Sequence, residues 1–327
     1  MVSQAIAPEY MNPAVAPERR ASDLVGFVRL EIGGARYVVP LASVAAVIEP
    51  TTMERHSDDE PGVWIGQVHS QQDAIPVASG ATLLRAEAHA GGYPSTSPGR
   101  IVILRATSPI GLGVDRVLSS RVVARDEILS FPDVATVLKN IPVSGAVWDE
   151  DNELELLLDI EALVSELDDE LGARTGSGRL QRANHQLVIE RYGEVDYRRA
   201  LEVRFDGSDE RWAVPMAAVR LISDFPHPHP LPRAPRHVAG LVSWHRNPIP
   251  VIDPTYRLDI PRADSLPSRL IVIGEPIAVG GASDSADAAI LVSSVAGIHY
   301  NLRVEHGRAW DARGDSLNLI RIPDVLT

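Results

Sequence analysis

The sequence consists largely of short apolar runs separated by turn-forming residues. The runs are rich in Val and Ile and are interrupted by Gly, Pro, Asn and Asp. This spacing is typical of an all-β sandwich or barrel. One stretch differs, because Leu163, Leu167 and Leu171 recur every four residues after Asp159, which predicts a short amphipathic helix. The pattern therefore predicts an all-β fold with few helices.

The apolar pattern occurs twice. The segment RYVVPLASVAAVI (residues 36–48) is followed 175 positions later by RWAVPMAAVRLIS (residues 211–223). Downstream, IGQVHSQQDAIPVAS (residues 65–79) matches AGLVSWHRNPIPVID (residues 239–253) at a lag of 174. In all, five blocks recur in the same order. A period near 170 residues is far longer than a solenoid repeat, so each copy is predicted to be a whole domain.

The repeat also sets the predicted domain boundaries. Copy two lacks about 20 residues before its closing strand. In the alignment of the closing blocks, Ile322 stands opposite Asp159, while Trp310 coincides with Trp148. We interpret the polar, glycine-containing stretch between the copies as a linker. The predicted divisions are a disordered tail at 1–21, domain one at 22–170, the linker at 171–195, and a shortened, diverged domain two at 196–327.

Composition narrows the function classes. The 327 residues include no cysteine, which excludes disulfides, thiolate zinc sites and cysteine nucleophiles, and suits a reducing cytosol. The formal net charge of −13 repels phosphate backbones and anionic lipid headgroups, so no nucleic-acid partner is expected. No run approaches the roughly 18 apolar residues of a spanning helix, so no direct membrane insertion is expected. We therefore expect a cytoplasmic protein.

Several short motifs occur in the same order in both copies. An aromatic residue precedes a proline by three positions in Tyr37–Pro40 and in Trp212–Pro215. A glycine and an Ile-Pro-Val strand follow, and in copy two that strand is followed by Asp253. Copy one then shows Val114-Asp115 and a closing Leu157-Leu158-Asp159. Taken in series, these blocks resemble the CheW-like domain of bacterial chemosensory systems.

The resemblance implies a fold and a function. The implied fold is all-β, with each domain a pair of small SH3-like five-stranded β-barrels and the two domains in tandem with a short linker helix. The implied protein is a non-enzymatic adaptor without cofactors. Its partners would be the cytoplasmic tip of a chemoreceptor and the regulatory domain of a CheA-type histidine kinase. The shortening of copy two predicts that its second barrel is incomplete.

The resemblance also points to a contact loop. The Asn-x-Arg-Gly loop of the family is replaced by His69-Ser70-Gln71-Gln72 in copy one and by Ser243-Trp244-His245-Arg246 in copy two. Trp244 has no counterpart in copy one, and aromatic and arginine side chains dominate the energetics of interfaces. The predicted partner-binding residues are Gly66, Gln71, Gly240, Trp244, His245, Arg246 and Asp253.

Two alternatives remain open at this point. Four histidines within 19 residues, His227, His229, His237 and His245, could bind zinc or nickel, but the alternating FPHPHPLPRAP segment is interpreted by default as an exposed proline-rich loop, and no metal site is predicted. No G-x-S-x-G or H-E-x-x-H motif is present, so no catalytic residue is predicted. The alternative function is a diverged module that binds a small molecule or a metal, or that is architectural, outside chemotaxis.

Overall fold

The described residues form four β-sheets and three short α-helices. The predicted tail at 1–21 and all but residue 195 of the predicted linker lie outside them. The computed structural model describes residues 23–55, 63–70, 73–84, 97–106, 109–131, 141–151, 153–170, 195–224, 227–261, 267–275, 286–305 and 308–326.

Domain one contains the first eleven strands. They are β1 (Leu24–Ile32), β2 (Ala35–Pro40), β3 (Val44–Ile48), β4 (Met53–Arg55), β5 (Trp64–Ser70), β6 (Asp73–Ser79), β7 (Arg100–Leu104), β8 (Ile110–Val114), β9 (Arg116–Ala124), β10 (Val143–Trp148) and β11 (Leu154–Leu158). Two helices accompany them, α1 (Gly80–Leu83) and α2 (Ile160–Glu170).

Domain two repeats this arrangement. Its strands are β12 (Ala200–Arg204), β13 (Trp212–Pro215), β14 (Val219–Asp224), β15 (Val238–Trp244), β16 (Asn247–Ile252), β17 (Arg269–Ile273), β18 (Ala288–Val292), β19 (Ser294–His299), β20 (Arg303–Glu305), β21 (Arg308–Trp310) and β22 (Ser316–Leu319). A short helix, α3 (Ile322–Leu326), follows β22.

The sheet topology confirms the duplication. In domain one, sheet A has the order β10-β11-β2-β1-β9 and sheet B the order β3-β7-β8-β6-β5-β4. In domain two, sheet C has the order β19-β12-β13-β22-β21-β20 and sheet D the order β14-β17-β18-β16-β15. Sheets A and C each contain an equivalent parallel pair. In sheet A it is β11 with β2, and in sheet C it is β22 with β13. The all-β prediction is confirmed, with five or six strands in each sheet.

Each sheet curls, because its two edge strands are neighbours in the chain. In sheet B the edges β3 and β4 are joined by the short turn Pro50–Thr52. In sheet A, Leu129 follows β9 and bridges to β10: its N–H donates to the Ala146 carbonyl at 2.8 Å, and the reverse bond is 3.0 Å. The edges thus approach each other as in a barrel, although no continuous ladder closes a sheet within the described residues.

The predicted incomplete second barrel is wrong. Sheets C and D contain six and five strands, so copy two retains both halves of the domain. Ten residues of the length difference fall in one connection instead. Residues 125–142 connect β9 to β10, whereas residues 300–307, which include the short β20, connect β19 to β21. Shortening a connection between two edges leaves every strand of the paired sheets in place.

Curling buries both faces of the central strands. In β7, Ile101 and Ile103 pack inside sheet B, whereas Val102 and Leu104 face a second, larger core. In domain two, β17 divides its residues between an interior core and the same larger core in the same way. That larger core is one cluster of buried apolar residues with members from all four sheets. Continuous apolar runs, and not simple alternation, are what such doubly covered strands require.

The predicted helix after Asp159 is confirmed. Asp159 caps α2, since its Oδ1 accepts a hydrogen bond from the Ala162 N–H at 3.0 Å. The residues that α2 buries are Ile160, Leu163, Val164 and Leu167, and Leu171 lies outside the described residues.

The sequence alignment of the two closing blocks is wrong by one position. Leu156 pairs with Tyr37 in domain one, and Asn318 pairs with the equivalent Trp212 in domain two. Counting onward from these pairs places Arg321 opposite Asp159. Ile322 therefore corresponds to the first residue of α2.

Each domain holds a buried glutamate that is paired with arginine, but on different strands. In domain one, Glu155 of β11 is fully buried and accepts a 2.7 Å hydrogen bond from Arg29 Nε. In domain two, Glu202 of β12 accepts bonds from Arg211 Nε at 3.0 Å and Nη2 at 2.9 Å, and from His299 Nε2 at 2.7 Å. A buried carboxylate is tolerated only with such charge-assisted partners.

Two equivalent glycines allow close packing of neighbouring backbones. A Cβ on Gly66 of β5 would lie 2.3 Å from the Glu54 carbonyl oxygen. A Cβ on Gly240 of β15 would lie 2.4 Å from the His229 carbonyl oxygen. Both obstacles are backbone atoms that also pair with these strands, so they cannot rotate away.

We expect the Glu202 cluster to make stability depend on acid. The Arg211 hydrogen bond, with further help from His299, outweighs burial and lowers the pKa of Glu202 to about 2 from 4.5. A folded-state pKa below the unfolded value means that this stabilisation is present above pH about 4.5 and is lost as the pH falls toward 2. Glu202→Gln should lower the free energy of unfolding at pH 7 by on the order of 3 kcal/mol.

Urea titrations between pH 7 and 2 measure this effect. The matched control is Glu49→Gln, which removes an exposed pair with Arg100 and should change stability by less than about 1 kcal/mol. An E202Q variant that follows the wild-type pH profile below pH 4.5 would contradict the assignment.

Alanine at either packing glycine should destabilise its sheet. Gly66→Ala and Gly240→Ala each force a backbone shift, at a cost of about 1–3 kcal/mol. Gly297→Ala on β19 is the control, because a Cβ there meets nothing within 4 Å. Denaturant midpoints should fall for the first two variants and stay level or rise for the third. Equal losses at all three positions would refute the packing argument.

Candidate partner-binding surface

The predicted contact loop of copy two is a tight hairpin turn between β15 and β16. Trp244 and Asn247 form the last strand pair, and only two residues connect them. Both have positive φ, 47° at His245 and 69° at Arg246. This is the geometry of a type I′ turn, which Asn and Gly ordinarily occupy. Side chains as large as these at positive φ carry a backbone cost, and such costs concentrate at functional sites.

The side chains of the turn are partly anchored and partly in solvent. The half-buried indole of Trp244 packs against the interior core of sheet D. Its ring centroid lies 4.5 Å from that of His245, with the planes tilted by 53°. His245 and Arg246 are exposed. The turn therefore presents an imidazole and a guanidinium to solvent beside the partly buried Trp244 ring.

The same hairpin contacts domain one. Trp148, at the end of β10, donates a 3.0 Å hydrogen bond from Nε1 to the Arg246 carbonyl oxygen. Arg121 of β9 supports Trp148 from behind by donating from Nη1 to its carbonyl oxygen at 2.5 Å. The junction borders a partly open cavity of about 520 Å³, lined by Arg121, Val123, Asp126, Glu127, Leu129, Val147, Trp148, Asp149 and Arg246. Sequence reasoning missed this contact, because Trp148 coincides with Trp310 and so carried no distinguishing mark.

The other predicted site residues have local structural partners. Gly66 and Gly240 are buried in their strands, where the close backbone approach explains their identity. Asp253 follows β16, and its Oδ1 accepts bonds from the Thr255 N–H at 3.1 Å and the Thr255 hydroxyl at 2.6 Å. Gln71 lies outside the described residues. Their role in partner binding stays a prediction.

Domain one exposes a group of apolar side chains that the sequence pattern did not single out. Val122 lies directly opposite Gly26 in the β1–β9 ladder, and Leu24 lies on the same face of β1. The Leu41 side chain comes within 3.3 Å of where a Cβ on Gly26 would be. The three side chains are 41% (Leu24), 49% (Leu41) and 62% (Val122) exposed. We call Leu24, Leu41 and Val122 the apolar patch.

Domain two carries a modified version of this patch. Ile298 occupies the position of Val122, because it pairs with Leu201 as Val122 pairs with Gly26, and it is also exposed. In place of Leu24 stands Arg199, whose guanidinium lies 5.3 Å from the ring centroid of the exposed Tyr300. The equivalent surface therefore carries a cation stacked on an aromatic ring.

A second recurring exposure lies on the edge strands of sheets B and D. Val47 of β3 and Ile222 of β14 occupy equivalent positions, and both are exposed. Leu221 beside Ile222 is exposed as well. An edge strand presents unpaired backbone groups, and apolar side chains there make it suited to protein contact.

The histidine-rich segment shows no metal geometry. Burial and the nearby Arg257 charge lower the pKa of His237 to about 4. Burial also lowers the pKa of His229. Within the part of the chain that the structure describes, no three His, Asp or Glu side chains are grouped so that they could hold an ion. Over the same residues, no helix has the length and apolar character needed to cross a membrane.

Comparison with known proteins gives the family of the chain. No curated protein matches the chain. Among solved structures, the scaffolding protein TtCheW from Thermoanaerobacter tengcongensis is similar, with 18% identity and a TM-score of 0.36 over 42% of this chain and 91% of TtCheW. The CheW-like domain family matches residues 26–168 and 203–302, which is more than half of the sequence. One matching segment falls within each of the two duplicated pairs of sheets, and the chain belongs to the CheW-like domain family.

Proposed function

We propose that this protein is a non-enzymatic adaptor of a bacterial chemosensory system. In this proposal it couples chemoreceptor tips to the regulatory domain of a CheA-type histidine kinase in the cytoplasm. The observation that carries it is the recurrence of exposed apolar residues at equivalent positions of both domains, Val122 with Ile298 and Val47 with Ile222. Contiguous exposed apolar side chains mark protein interaction sites. Membership of the CheW-like family supports this direction.

The two kinds of exposed surface suit two kinds of partner. The apolar patch is a compact group of aliphatic side chains beside the core between sheets, which suits the apolar face of a helix such as a coiled-coil tip. The edges of β3 and β14 offer backbone groups and apolar side chains together, which suits another β-domain such as the kinase regulatory domain. Adaptor activity requires two such surfaces on one molecule.

The two domains differ in the partner they favour. The patch of domain one is purely aliphatic, whereas domain two adds Arg199 over Tyr300. A positive charge at the equivalent place favours a partner surface with acidic residues. Because the two domains are joined on one chain, binding at one site raises the effective concentration of the other site for its partner. Each site can then have a modest affinity.

Charge substitutions in the apolar patch should weaken binding of the receptor tip. Leu41→Glu and Val122→Glu place a carboxylate on the surface without disturbing the core, and should weaken binding of a soluble receptor-tip fragment from the same organism by about 10-fold or more. Isothermal titration calorimetry measures the affinity. Tyr256→Glu, at an exposed position of a different turn, is the control and should bind like wild type. Unchanged affinity in both patch variants would count against the proposal.

The strained turn offers a second test. Replacing His245 and Arg246 by Asn and Gly gives the turn its preferred residues and should raise the free energy of unfolding by about 1 kcal/mol. If the side chains contact a partner, as predicted, the same variant should bind the kinase regulatory domain more weakly. Thermal unfolding and calorimetry measure the two effects. If the variant is more stable and binds the kinase regulatory domain as well as wild type does, the hairpin side chains are not part of the binding surface.

A further inference from the structure

The junction between the domains combines a hydrogen bond, a charge interaction and a shared apolar core. The Trp148 indole bonds to the main chain of the β15–β16 turn. Glu153, in the turn after β10, lies close enough for its charge to act on His229, which bridges to β15. The large apolar core contains residues of sheets from both domains. Together they join the end of sheet A to the hairpin of sheet D.

Donor and acceptor of the Trp148 bond are both held in place before they meet. The Trp148 backbone is fixed by its position in β10 and by the bond from Arg121. The Arg246 carbonyl is fixed by a two-residue turn whose φ angles are both positive, a conformation with little freedom. Groups that are ordered beforehand lose little entropy when they bind, so one hydrogen bond of this kind is effective.

We propose that Trp148 and the 244–247 hairpin form a clasp that holds the two domains in one fixed orientation. The first binding partner of this hairpin is thus domain one of the same chain. The Arg246 main chain is engaged internally, while the His245 and Arg246 side chains still reach solvent. The cavity of about 520 Å³ at the junction is lined by residues of domain one and, from domain two, by Arg246.

The clasp follows from the structure whether or not the proposed function holds. It has a consequence for any binding activity, because surfaces on two rigidly joined domains keep a constant separation. The chain also offers a matched control, since Trp310 occupies the register position of Trp148 in domain two but does not line the junction cavity.

Distances between the domains test the clasp without any partner. The sequence contains no cysteine, so spin labels can be placed on the full chain at Arg116→Cys in β9 and Arg303→Cys in β20. Both side chains are largely exposed, at 68% and 71%. Electron–electron distance measurements should give a narrow distribution for the labelled parent protein. Trp148→Phe, which keeps the ring and removes the donor, should broaden it, whereas Trp310→Phe should leave it narrow.

Hydrogen exchange supplies a local measurement on the unlabelled protein. Amides of the 244–247 hairpin should exchange about 10-fold faster in W148F than in wild type, while those of sheet B stay unchanged. If W148F does not fold, Arg121→Met is the second variant. Arg121 is partly exposed, and its replacement removes the hydrogen bond to the Trp148 carbonyl, which should also make the hairpin amides exchange faster. The clasp is overturned if the parent distribution is already broad, if W148F matches wild type in both measurements, or if W310F produces the same changes.

Discussion

Burial of both faces of central strands is the constraint on which this structure depends. Each sheet curls around a small core of its own, and its outer face packs against a larger core that all four sheets share. A strand such as β18, buried at all five positions, has no face left for solvent or for a partner. Interaction surfaces are therefore confined to edges, turns and the rims of the shared core.

The exposed apolar residues obey this restriction. Val47, Val122, Ile222 and Ile298 all lie on edge strands, and Leu41 lies in the turn just before one. In this fold the positions free to contact another protein lie on edge strands, in turns, or at the end of a central strand, as Leu24 does at the start of β1. The adaptor function that we propose uses the part of each sheet that the folding of a single domain cannot cover.

Duplication preserved the sheets while local chemistry diverged. The buried glutamate that pairs with arginine lies on β11 in domain one and on β12 in domain two. In sheet A, β11 lies beside β2, and in sheet C, β12 lies beside the equivalent strand β13. The two glutamates therefore lie in equivalent sheets, on opposite sides of the equivalent strand. Two positions can exchange a role in this way because a carboxylate is constrained by its hydrogen-bond donors and not by its own strand.

The sequence alone determined the duplication, the all-β class and the helix after Asp159, because these follow from the local spacing of apolar and turn-forming residues. It failed on the completeness of domain two, since a missing connection and a missing strand shorten a sequence alike. It also could not assign Gly66 and Gly240 to packing, find the apolar patch, or pair Trp148 with Arg246. Those features depend on which strands become neighbours when the sheets curl, and residues from distant parts of the chain meet only in the tertiary structure.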